Sequence, residues 1–128
     1  MRFAIALVGA TIAISFSDWL FFGVLFHDRY MQTPGVWRES PESRKIAGSM
    51  AFALVGTAAF LFLAQSLGVR GFGPAFGLAI LVWIAASLPQ TLTTTLYIKY
   101  SPAFGLSHAL GWLARLLIAA AAFALMVR

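Results

Sequence analysis

The chain has 128 residues, of which 61% are hydrophobic and only 10% charged, with a net charge of +5 and no cysteine. That balance lies far outside the soluble range and marks an integral membrane protein. The missing cysteines exclude disulfides, thiolate metal sites and cysteine nucleophiles. Basic flanks of membrane helices account for the charge, and no basic tail or patch with interleaved aromatics points to nucleic acid.

Crossing a hydrocarbon core of about 30 Å takes roughly 20 helical residues. Four apolar stretches meet that length, at residues 3–26, 46–67, 74–98 and 103–127. They use nearly the whole chain, so the expected fold is all-α: an integral membrane bundle of four transmembrane helices with short connections, one domain over residues 1–128. The first stretch is expected to be a spanning helix rather than a cleaved signal, because its apolar run continues to Phe26, past the length of a signal core. Along it Thr11, Ser15, Asp18 and Phe22 share a face.

The longest connection, residues 27–39, contains the turn Thr33-Pro34-Gly35, with Tyr30 and Trp37 suited to the headgroup level. Ser40, Pro41 and Glu42 read as an N-cap, a first-turn proline and an acid at the positive end of the helix dipole, starting the second helix near Pro41. Ser49, Ala53 and Thr57 then form a small-residue stripe for close helix approach. Gly68, Gly71, Gly73 and Pro74 predict a tight turn that makes the second and third helices antiparallel neighbours.

The third helix carries Ser87, Gln90, Thr91 and Thr94 on one face, and Pro89 breaks its hydrogen-bond ladder at the carbonyl of Ala85. The threonines are expected to bond to carbonyls of their own helix. Ser101 and Pro102 open the fourth helix, where His108, Gly111, Trp112, Arg115, Ala119 and Ala122 follow one stripe. Trp19, Trp37, Trp83 and Trp112 read as lipid or interface anchors.

Asp18 and Arg115 are the one acid and the one base inside the four apolar stretches. Asp18 lies about 12 Å from the loop-side end of the first helix and Arg115 about 14 to 18 Å along the fourth, so their depths match. An uncompensated charge at the bilayer centre costs about 2.5 to 3.5 kcal/mol on insertion scales. The two are therefore expected to pair, as a structural staple or as part of a site. A polar pocket opening to the loop side follows if the four faces meet, with Asp18, Arg115, Gln90, Thr94, His108 and Ser15 as its ligand-binding residues. No cofactor and no metal are expected: His27 and His108 have no third histidine or carboxylate at ligand spacing.

The stretch Leu20-Phe21-Phe22-Gly23-Val24-Leu25-Phe26-His27-Asp28-Arg29-Tyr30-Met31, the stretch Ile46-Ala47-Gly48-Ser49-Met50, and the threonine-rich Thr93 to Tyr97 before a short turn and a last apolar helix resemble a bacterial four-helix membrane family, domain-of-unknown-function family 1761. The resemblance covers nearly the full length and implies the four-helix fold without any assigned activity. Phe21 and Phe22 stand where that family usually has Trp and Tyr, and Val24 where it has Pro.

Three functional readings follow. The first is binding or transport of a small molecule or lipid ligand in the polar pocket, with a homodimer supplying a path too wide for four helices. The second is an enzyme acting on a lipid-soluble substrate with Asp18 as acid or base, although no HExxH, GxSxG or Walker loop is present. The third is an accessory or scaffold subunit of a larger membrane complex. Lys and Arg number five on the loop side (Arg29, Arg38, Arg44, Lys45, Lys99) and three on the terminal side (Arg2, Arg70, Arg128), so the loop side is expected in the cytoplasm of a bacterial inner membrane.

Overall fold

A backbone in hydrocarbon must satisfy its own N–H and C=O groups, and a long apolar run does so as a helix. The computed structural model describes residues 1–25, 27, 28, 35, 40–99 and 101–127. It contains four helices, α1 (Arg2–Leu25), α2 (Glu42–Ser66), α3 (Phe72–Tyr97) and α4 (Pro102–Met126), each long and apolar enough to cross a membrane. No strand occurs among the described residues. The chain is an all-α membrane protein. The expectations for Tyr30, Thr33, Pro34 and Trp37 lie outside the described residues.

The helix ends follow local chemistry. α2 ends in a Schellman motif: the N–H of Gly68 donates to the carbonyl of Gln65 and that of Val69 to Ala64, both at 3.0 Å. Gly68 and Gly71 have φ of 66° and 81°, a region that a side chain would strain. At α4 the Ser101 hydroxyl accepts from the N–H of Phe104 at 3.3 Å, with Pro102 in the first turn. α2 starts one position later than the sequence suggests: Pro41 keeps an extended ψ of 133° as the flanking residue, and no side chain caps this end.

Both α1 and α3 widen into π-helical turns. The segment Trp83–Ser87 of α3 sits just upstream of Pro89, and the N–H of Leu88 reaches back five residues to the carbonyl of Trp83. A proline that lacks an N–H and crowds the carbonyl four residues back is accommodated by such a wider turn. In α1 the segment Trp19–Leu25 begins immediately after Asp18. There the Trp19 side chain lies where a Cβ on Gly23 would come within 3.3 Å of it.

Lipid tails are as apolar as leucine, so helices in a membrane associate through close packing and small residues rather than through the hydrophobic effect. The buried residues follow this logic: Ala6 and Ala10 on α1, Ala53 and Ala64 on α2, Ala75 and Ala79 on α3, and Ala109, Ala119, Ala120 and Ala124 on α4, around the larger Phe60, Leu61, Leu116 and Phe123. Large side chains such as Ile12, Phe16, Phe52, Phe62, Leu81 and Leu96 point away from the bundle. α4 is the central helix: 39% of its apolar window is buried, against 11 to 22% for the others. It packs against α1, α2 and α3, and α1 also packs against α2. The expectation that α2 and α3 are close neighbours is therefore corrected. The glycine turn leads α3 onto α4 instead of along α2, because α3 has its small residues on α4 whereas α2 shares its own between α1 and α4.

Leucine in place of the fully buried Ala120 is expected to destabilise the bundle by about 1 to 3 kcal/mol through overpacking, and the same change at the exposed Ala59 by less than about 0.5 kcal/mol. Reversible unfolding of the purified protein in mixed micelles measures both, and equal effects would contradict the central position of α4.

Candidate functional site

Asp18 is the last residue of the regular part of α1, and Arg115 projects from the middle of α4. Their side chains meet in a two-point contact: Arg115 Nε donates to Asp18 Oδ1 at 2.7 Å and Nη2 to Oδ2 at 2.6 Å. A planar guanidinium and a carboxylate matched this way fix each other's orientation as well as their distance. Both side chains are mostly covered, at 17% and 16% exposure. The other side of Arg115 is occupied as well, since its Cζ lies 4.9 Å from the ring centre of Trp112.

One turn before Trp112, His108 is held between two aromatic rings, Phe22 of α1 at 5.0 Å and Phe104 at 4.8 Å between centres. Phe22 is one turn beyond Asp18, so one face of α1 supplies both the carboxylate and the ring. Gly111 makes the approach possible: a Cβ there would stand 3.3 Å from Phe22 Cζ. On the far side of α4, Trp83 Nε1 donates to the carbonyl of Ala109 at 2.7 Å and ties the π-helical part of α3 to α4. Trp83 is thus a strut to α4 where the sequence suggests a lipid anchor, while Trp112 borders a charge and still keeps an exposed face, as an anchor does.

Next to this strut a cavity of about 470 Å³ opens between α3 and α4, lined by Ala86, Ser87, Gln90, Thr91 and Thr94 on one side and His108 and Trp112 on the other. Thr91 and Thr94 donate to the carbonyls of Ser87 and Gln90 at 2.7 and 2.8 Å, in their own helix. Of the six residues expected to form one pocket, the structure brings Gln90, Thr94 and His108 to this cavity. Asp18 and Arg115 stand behind its Trp112 wall, and Arg115 faces a separate crevice of about 30 Å³ towards α2. Ser15 faces neither: its hydroxyl donates to the carbonyl of Thr11 at 2.9 Å. Trp112, Phe22 and Ala86 were not among the expected site residues. The spacing of His108, Trp112 and Arg115 on one stripe was the signal for Trp112. His27 is exposed at the end of α1, and no group of three His, Asp or Glu side chains suited to a metal occurs among the described residues.

Over residues 5–124 the chain matches the model of a family described as Protein of unknown function (DUF1761). The chain belongs to that family. No curated protein and no solved structure matches it. In this DUF1761 member the central helix carries a charge whose partner comes from α1.

Removing one member of a covered ion pair strands the other, which typically costs about 3 to 5 kcal/mol, whereas replacing both by apolar residues is often close to neutral. Arg115→Leu alone is accordingly expected to unfold far more readily than the double variant Asp18→Leu/Arg115→Leu in the same micelle titration. A double variant no more stable than the single one would show that the pair does not act as a unit.

Proposed function

We propose that the protein binds and moves a small molecule at an intramembrane polar site, in which Gln90, Thr94 and His108 face the ligand and the Asp18–Arg115 pair holds the wall behind Trp112. What supports this reading is the cavity between α3 and α4. Its volume of about 470 Å³ falls in the range of small-molecule sites, roughly 300 to 1,000 Å³. Its polar lining sits in the loop-side half of an otherwise apolar helix, beside a π-helical turn, and such turns are frequent at functional sites.

Asp18 is ill suited to acid or base catalysis, since both its oxygens accept from Arg115. That weighs against the enzymatic reading. A chain of four helices is small for a path across the membrane, so passage calls for a second copy of the chain. The membrane is the inner membrane of a bacterium, with the loop side and its five basic residues in the cytoplasm.

Protein purified in lipid nanodiscs after exposure to a metabolite and lipid extract is expected to retain a small molecule, detected by native mass spectrometry. Ala86→Trp, which fills the cavity from an exposed position of α3, should abolish that retention while leaving thermal stability intact. Equal retention by the filled variant, or a retained molecule in neither, would favour a purely structural bundle and sink the proposal.

A further inference from the structure

The chemistry of the cavity wall restricts what fits it. None of the seven lining residues is Asp, Glu, Lys or Arg, and the two formal charges nearest to it are spent on each other behind Trp112. An ion entering a low-dielectric site without a counter-charge leaves its hydration shell for nothing of equal strength. The hydroxyl hydrogens of Thr91 and Thr94 already point back to carbonyls of α3, so towards the cavity these oxygens offer only lone pairs. The Gln90 amide and the Ser87 hydroxyl make no hydrogen bond among the described residues, and they supply donors as well as acceptors. A matching ligand must therefore donate to the threonines and accept from Gln90 through the same small group.

The rest of the wall is the imidazole of His108, the indole of Trp112 and the methyl of Ala86, flat surfaces of which only the imidazole is polar. Gln90 and Ala86 are exposed on the bundle surface, flanked by the exposed Ile84 and Leu92. Gln90 lies seven residues before Tyr97, about 10 Å below the helix end. The mouth thus opens sideways among apolar side chains, and an amide at that depth needs a polar partner.

Resting on the ligand-site reading above, we infer that the cavity takes an uncharged, lipid-soluble molecule that joins a hydroxyl or a primary amide to a flat apolar part, entering laterally between α3 and α4. The polar group sits between Gln90 and the two threonines, and the apolar part lies against Trp112.

Four isosteric probes test this: 3-phenylpropan-1-ol, 3-phenylpropionamide, 3-phenylpropionate and 3-phenylpropylammonium, titrated against the tryptophan fluorescence of the full chain in nanodiscs, with Trp112→Phe as the blank for partition into lipid. The alcohol and the amide are expected to give saturable signals, and the carboxylate and the ammonium to bind at least about tenfold more weakly. Gln90→Leu should weaken the neutral pair by about tenfold, the worth of a lost hydrogen bond, and Thr94→Val, a second change at a residue outside the core, should weaken them in the same direction. A charged probe that binds as well as the neutral ones, or no saturable signal from any of the four, overturns the inference. The retention assay with Ala86→Trp then separates a wrong ligand class from the absence of a site.

Discussion

Two opposite charges set in apolar helices form the one ion pair between helices among the described residues. Asp18 and Arg115 are 97 positions apart in the chain, yet their two-point contact admits only one rotation and one axial position of α1 against α4. Apolar helices packed through alanines have many nearly equivalent registers, because one small side chain replaces another at little cost. A guanidinium fork has one acceptable partner and one orientation. The pair's main contribution is therefore specification of helix order, with net stability a smaller matter. The neighbouring features depend on it: Phe22 reaches His108 and fits over Gly111 only if α1 sits at the height that the carboxylate sets.

α4 is the helix on which this constraint acts, and its composition explains why. Gly105, Ser107, Ala109 and Gly111 are buried in its first half and Ala119, Ala120 and Ala124 in its second, so small residues face more than one neighbour. A helix small on several sides is approached from several sides. α2 and α3 each have their small residues along one edge, and each spends that edge on α4 or α1. A tight turn between two helices dictates reversal of direction, but which surfaces touch is decided by where the alanines lie. That is why the glycine turn alone misleads about α2 and α3.

Much of this was legible in the residues. Span number and approximate limits come from apolar length alone, because the hydrocarbon thickness leaves little freedom. Counting from the helix ends puts Asp18 and Arg115 at one level, and the spacing of Ser87, Gln90, Thr91 and Thr94 puts them on one face, since helical rise and period are nearly invariant. Pro89 announces an irregular turn in α3. Nothing comparable announces the π-helical turn after Asp18, which has no proline and in which Trp19 lies close over Gly23. Tryptophan is equally ambiguous. An indole on an apolar helix looks the same in sequence whether it anchors to headgroups, bonds the carbonyl of Ala109 as Trp83 does, or covers a guanidinium as Trp112 does. These outcomes depend on which helix lies opposite, information that periodicity within one helix does not carry.

The separation of the charges from the cavity gives the two a specific relation. Arg115 is engaged by the carboxylate of α1 and by the ring of Trp112, and the same ring forms a wall of the cavity between α3 and α4. Any displacement of α1 that moves Asp18 must move the guanidinium, and with it the surface on which the indole rests. Trp83 opposes such movement from the other side, because its bond to Ala109 holds α3 at a fixed height one turn before Trp112. The cavity is thus framed by a charged clamp on one side and a neutral strut on the other, both anchored on α4. The charges bear on its shape through Trp112 without lining it themselves.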